Sequence, residues 1–369
     1  MNENWNNIYG QEKVKKCLNN ILTSARIPHA FLFHGPEGVG KHYTAVRFTQ
    51  LLNSLGLADH NKTILTKIKN LNEPFIKYII PLPRGKNELP GDSPIEKLNK
   101  EILDNLKAEL NSKINNPYYR IDLPNSNNIK ITSIRDIKNF LSYNFNEIKY
   151  RVILIENAHQ MSDESQNALL KSLEEPPQNF VFILTTCKPE MLFETISSRC
   201  WPIAFDPLSI EDVTKILVEY FHIENEKAYV AAQFSSGSVI NATELLKYDI
   251  EVLTELTLKI LRFAVTLKIH SAIKELSDYK RNNSVESLKL IIKMLIFWLD
   301  DVQKGRDGST SYYFIKNMEN INKFNKNFPN ANIEYIIIAL NKILESIENN
   351  VNLNVATLNL IFELTSLRN

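Results

Sequence analysis

At 369 residues the chain is too long for one ordinary domain and fits about two or three. Hydrophobic residues make up 44% of it and charged residues 23%, the balance of a globular protein able to bury a core. Forty-three Lys and Arg against 42 Asp and Glu leave a formal charge of +1, which excludes a global electrostatic pull toward nucleic acid.

In chain order, residues 1–9 are polar and Asn-rich, without the charged-then-apolar order of a secretory signal. Phe31, Leu32 and Phe33 form a short apolar run that leads into a concentration of glycine. Only 10 glycines occur in the chain, and Gly35, Gly38 and Gly40 fall within six residues. Gly35-Pro36-Glu37-Gly38-Val39-Gly40-Lys41-His42 matches the phosphate-loop pattern G-x-x-x-x-G-K-[ST] except at its last position. Glycine is needed there because backbone N–H groups must wrap a phosphate at close range. Lys41 would reach the outer phosphates, and a helix over 43–52 would offer its N-terminus to the anion. His42 replaces the hydroxyl that ligates magnesium, a hard ion preferring oxygen.

Residues 81–130 are broken by Pro81, Pro83, Pro90, Pro94, Pro117 and Pro124 around one helical stretch near 95–113. They read as part of an exposed insertion over about 60–125. Arg151–Ile155 and residues 180–184 are apolar without alternation, as strands buried on both faces of a parallel sheet are. The first ends at Glu156-Asn157. An ATPase of this layout needs two acids there, one to organise magnesium and one to activate water. Glu156 keeps a carboxylate, but Asn157 cannot accept a proton. Between the strands, Ser162 caps a helix over 163–173 that Pro176 and Pro177 end.

From about 207 strand signals fade. A helical run follows Pro207-Leu208-Ser209, a small helical unit closes near Lys247, and amphipathic helices are predicted over 285–303, 333–349 and 355–367. The fold class is therefore a parallel-sheet α/β P-loop domain over 1–205, a small helical lid over 206–248 and an all-α domain over 249–369. No run of 18 apolar residues occurs, so no membrane span is expected. Cys17, Cys187 and Cys200 are odd in number and form no C-x-x-C pair. That argues against disulfides and a cysteine zinc site, and for a reducing cytoplasm.

Asn167-Ala168-Leu169-Leu170-Lys171-Ser172-Leu173-Glu174-Glu175-Pro176-Pro177, followed by Thr195-Ile196-Ser197-Ser198-Arg199-Cys200, closely resembles the bacterial clamp-loader branch of the AAA+ ATPases. That branch holds the gamma/tau and delta-prime subunits of DNA polymerase III. Tyr9-Gly10-Gln11-Glu12 is similar to its entry motif, and Ile27-Pro28-His29-Ala30-Phe31-Leu32-Phe33-His34-Gly35 to its approach to the phosphate loop. The resemblance covers 5–55 and 130–245 and is only architectural beyond 250. It implies an AAA+ domain, a lid and a C-terminal collar for oligomerisation. It also implies gamma/tau and delta as partners, with the sliding clamp and primed DNA met through the assembly.

Registering on Ser198-Arg199-Cys200 places Cys187 where the branch's motors carry a polar sensor. Gly237-Ser238-Val239-Ile240 puts Ile240 where they carry a sensor arginine. Four positions that hold magnesium, activate water or sense the γ-phosphate have thus become His42, Asn157, Cys187 and Ile240. Arg199 is kept, and in this branch it resembles a finger that reaches into a neighbour's ATP site. No cysteine lies within 51–130, so the four-cysteine zinc module of many relatives is missing. The expectation is a delta-prime-like stator that supplies Arg199 in trans. Gly35, Gly38, Gly40, Lys41 and His42 would hold ATP or ADP without hydrolysis, with magnesium disfavoured and no zinc. Two other readings stay open: an active gamma/tau-like motor with Glu156 carrying magnesium, and a nucleotide-binding AAA+ scaffold outside replication.

Overall fold

The computed structural model describes residues 5, 7–24, 26–54, 61–89, 91–142, 147–280, 284–309, 312–349 and 351–368. They divide into two compact units, Met1–Thr243 and Glu244–Asn369.

The first unit is built on five parallel strands: β1 (Ala30–His34), β2 (Ile76–Ile79), β3 (Arg151–Ile155), β4 (Phe180–Thr186) and β5 (Trp201–Ala204). Their order is β2-β3-β4-β1-β5. The helices around them are α1 (Glu12–Thr23), α2 (Lys41–Ser54), α3 (Asn61–Lys69), α4 (Lys100–Asn115), α5 (Ile131–Ser142), α6 (Asp163–Glu174), α7 (Glu194–Ser197), α8 (Ile210–Phe221), α9 (Asn225–Gln233) and α10 (Val239–Leu245), the last ending just past the division. Every residue of β3 and β4 is buried, which is why neither strand alternates in sequence. In register, Ala30, Phe182 and Ile153 stand side by side across the middle of the sheet. His34 faces Thr186, and Ile155 faces Leu184. The glycine loop after β1 and Glu156 after β3 therefore leave the same carboxyl-terminal edge, where open parallel sheets place their ligands.

Strands β1, β3 and β4 and helix α6 stand where their sequence patterns predict them. The α6 cap is Ser162, whose Oγ accepts from Ser165 N at 3.3 Å. Leu169 and Leu173 on its inner face pack into the core with Ile153, Phe182 and Leu184. Two strands escaped prediction. β2 is four residues long and falls inside the expected insertion. β5 contains Pro202, which a sheet accepts at an edge strand such as this one.

The expectation that 81–130 is exposed needs correction. Ile80, Leu82, Leu106 and Leu123 form a small apolar core of their own, and Lys113 and Tyr118 are also buried. Outside α4, prolines interrupt the segment often enough that its inward positions do not repeat as a face.

Among the described residues the regular elements of the second unit are helices: α11 (Ile250–Val265), α12 (Ile269–Lys280), α13 (Ser284–Arg306), α14 (Met318–Asn327), α15 (Ile333–Glu348) and α16 (Leu353–Thr365). The central α13 buries Ile291, Leu295, Trp298, Leu299 and Val302, an apolar stripe at helical spacing. Trp298 meets Phe324 edge-on at 4.9 Å, so this aromatic is a core residue. Asp301 on the same helix is fully buried. Its carboxylate accepts from Tyr313 N at 3.0 Å and Phe314 N at 2.7 Å, which fixes the turn after α13. Among the described residues no helix is long and apolar enough to cross a membrane.

Candidate functional site

The loop between β1 and α2 is held in a form that only glycine fits. Gly38 has φ +75°, and a Cβ there would lie 2.7 Å from the backbone N of Ile240. Gly35 has φ +139°, and its Cβ would come within 2.3 Å of the Phe205 carbonyl oxygen. Gln11 ties this loop to the end of β5. Its Nε2 donates to Asp206 O at 2.6 Å while Asp206 N donates to its Oε1 at 3.1 Å. Lys41 Nζ donates to Gly35 O at 2.7 Å and to Pro36 O, so the ammonium lies inside the curl of its own loop. Burial brings the Lys41 pKa down to about 8.

His42, next in sequence, is buried at the start of α2 and points at the end of β3. Its Nδ1 lies 3.0 Å from Glu156 Oε2. Lys113 Nζ donates to Glu156 Oε1 at 3.2 Å and to Tyr119 O at 2.8 Å. The Tyr78 hydroxyl, from β2, donates to Glu156 Oε2. Burial alone would raise the Glu156 carboxyl, but Lys113, His42 and Tyr78 outweigh it and hold the group well below the usual carboxylate range. His42 is pushed the other way, toward its neutral form, by burial and by the Lys113 charge.

Asn157 adopts φ +55°, a left-handed position that asparagine tolerates, and its N–H donates to Thr185 Oγ1 at 3.3 Å. Cys187 follows β4, with Sγ 3.8 Å from His159 Nε2. His159 Nδ1 lies 3.1 Å from Thr186 Oγ1, and burial with the nearby Lys188 and Lys41 lowers its pKa to about 4. Burial raises the Cys187 thiol, and Cys200, deeper in the core, is pushed up to about 12. Neither thiol is the thiolate that nucleophilic chemistry requires.

A cavity of about 200 Å³ opens among these groups. Gly38, Gly40, Lys41, His42, Glu156, Asn157 and Ile240 all line it, so the structure gathers these sequence-predicted residues at one place. Gly35 sits behind the loop as an acceptor for Lys41. Arg199 stands apart, just beyond α7. Its Nη1 donates to Thr195 O at 2.7 Å and its Nη2 to Glu174 Oε1 at 2.9 Å, with the side chain 36% exposed.

The cavity has walls that sequence reasoning missed. Tyr118 packs on the loop, its ring 3.3 Å from where a Gly40 Cβ would be. It also belongs to an edge-to-face group with Tyr43 and Tyr220. Lys113 and Tyr78 complete the surroundings of Glu156. Lys113 carried one usable signal, since it follows Leu106 by seven residues and so lies on the buried face of α4. A charged residue at an inward position asks for an opposite charge, and Glu156 is that charge.

Comparison with known proteins supplies a family for most of the first unit. A family model described as DNA polymerase III, delta subunit, matches residues 10–209. The tau subunit of DNA polymerase III from Bacillus subtilis is 26% identical over 301 residues, 79% of this chain and 46% of that protein. The gamma subunit from Buchnera aphidicola subsp. Schizaphis graminum is 27% identical over 253 residues, 67% of this chain and 58% of that protein. The chain thus spans about half the length of these curated relatives. A solved gamma-subunit-related protein from Thermotoga maritima aligns with 97% of this chain and 100% of its own, at 14% identity and a TM-score of 0.43.

Proposed function

The chain belongs to the DNA polymerase III delta-subunit family, and from that premise we propose that it is a non-hydrolysing stator of the clamp loader, of the delta-prime kind. It joins gamma/tau and delta subunits and completes a neighbour's ATP site with Arg199 while turning over no ATP itself. The helical unit Glu244–Asn369 serves as the collar through which it assembles. Its own glycine loop retains ATP or ADP without cleaving it, because Asn157 offers no general base and Ile240 no charge.

One observation carries this reading: the contrast between a pocket whose carboxylate is already committed and an arginine that is not. Glu156 is bound from within the chain by Lys113 and Tyr78. Arg199 lies outside that pocket, on the surface, held by the Thr195 carbonyl and by an ion pair to a half-exposed Glu174. Exposed ion pairs contribute about 0–1 kcal/mol, so the guanidinium leaves Glu174 readily for a more negative partner such as a γ-phosphate.

The test is the ATPase of the reconstituted clamp loader. Arg199→Ala should leave the assembly intact by size-exclusion chromatography. Clamp- and DNA-stimulated hydrolysis should drop on the order of 10³-fold at the site it serves, the range of arginine fingers. An unchanged rate would remove Arg199 from the mechanism. The rival is an active motor, favoured by the likeness to tau and gamma subunits. Turnover by the isolated chain at a motor-like rate, abolished by Lys41→Ala, would establish that rival and end the stator reading.

A further inference from the structure

The surroundings of Glu156 do not fit a magnesium ion. Magnesium takes oxygen ligands in near-octahedral array at about 2.0–2.1 Å. Position 42 presents an imidazole instead of a hydroxyl, with Nδ1 3.0 Å from Glu156 Oε2. Position 157 is an amide, which brings no charge. Both oxygens of Glu156 are engaged, Oε1 by Lys113 and Oε2 by the Tyr78 hydroxyl. A cation is nevertheless present at this carboxylate. It is the ammonium of Lys113, delivered by α4 from the insertion, 5% exposed and fixed by Tyr119 O at 2.8 Å.

We propose that Lys113 is the resident cation of this pocket, standing where a divalent ion would, so that the pocket holds a nucleotide's phosphates without magnesium. Lys41 and Lys113 line the same cavity as the glycine loop and can answer phosphate charge together. Arg120, another wall of the cavity, lies 3.7 Å from Glu37 and offsets the charge of that acid. A dication brought beside Glu156 would gain a carboxylate that an ammonium already neutralises, and would meet repulsion from both lysines. Lys113 thus lets the pocket take the free nucleotide polyanion, with no need of a magnesium ion at Glu156. The insertion acquires a role in the same step, as the element that brings this charge from 43 residues away.

This inference rests on the glycine loop being a phosphate site and is independent of Arg199. Its test is titration calorimetry of the full chain with ADP, run once with magnesium and once with EDTA. Wild type should bind ADP with closely similar Kd in both. Lys113→Met should bind roughly tenfold to hundredfold more weakly in EDTA, the loss expected of a charge-assisted hydrogen bond. It should regain part of that loss with magnesium, because Glu156 is then free to meet the ion. Lys113→Arg should keep the wild-type pattern. If Lys113→Met does not fold, Lys113→Met with Glu156→Gln removes both charges at once; it should bind weakly with or without magnesium. Wild-type binding that requires magnesium, or a neutral residue at 113 that leaves Kd in EDTA unchanged, overturns the role of Lys113 alone. No ADP binding under either condition overturns the phosphate site as well.

Discussion

At the end of β3 each charge is answered from inside the chain, whereas just beyond α7 a guanidinium stands partly in solvent against one exposed carboxylate. Glu156 and Lys113 are 18% and 5% exposed in their side chains, Glu174 and Arg199 50% and 36%. The distances are similar, 3.2 and 2.9 Å, so distance does not distinguish them. Solvation does. A buried pair is costly to disturb because removing one partner strands the other in a poor solvent, while an exposed pair exchanges partners for little. The pocket has the electrostatics of a finished structure, and the Arg199 corner has those of a surface whose ion pair exchanges at little cost.

The largest effect should come from the exposed side. Arg199→Ala is expected to lower assembly ATPase by orders of magnitude, yet to shift the urea midpoint of the isolated chain by less than about 1 kcal/mol in stability. Lys113→Met should do the reverse for stability, costing about 3–5 kcal/mol because Glu156 is left buried without its cation. Equal destabilisation by the two variants would dissolve the comparison. Gly38→Ala comes next, at about 1–3 kcal/mol, since alanine must hold φ +75° with its Cβ 2.7 Å from the Ile240 N. Its cost should appear as a lower denaturant midpoint.

The effect that vanishes at neutral pH is a pH dependence from His159. Its folded pKa of about 4 lies below the ordinary 6.5, so the unfolded chain takes up the proton first. Stability from this group is complete above about pH 6.5 and is lost as pH falls toward 4. Wild type should therefore lose stability relative to His159→Gln across that window, read as the difference between their denaturant midpoints. Parallel profiles would mean that His159 is not held neutral by its surroundings.

The elements legible in sequence are those whose residues face apolar surroundings on both sides. β1, β3 and β4 lack polar interruptions, and the glycine loop announces itself through a spacing that few other structures require. β2 stayed hidden because Ile76, Lys77, Tyr78 and Ile79 mix polar with apolar over only four residues, and β5 because Pro202 argues against a strand. For the pocket, the spacing around Lys41 and the strand end at Glu156 led to residues that do share one cavity. Periodicity sets Lys113 on the buried face of α4 with Leu106, but an ion pair spanning 43 positions leaves no periodic trace of its partner.

Pro202 has one more consequence. Phe205 N donates inward to His34 O, and donors alternate along a strand, so residue 202 would present its N–H to the outer side of β5. Proline has no such hydrogen. The rim of the sheet is therefore a poor template for a foreign strand, which protects against fibrous aggregation. A neighbouring subunit approaching this rim must be gripped by side chains, and Arg199 stands two residues before β5 begins.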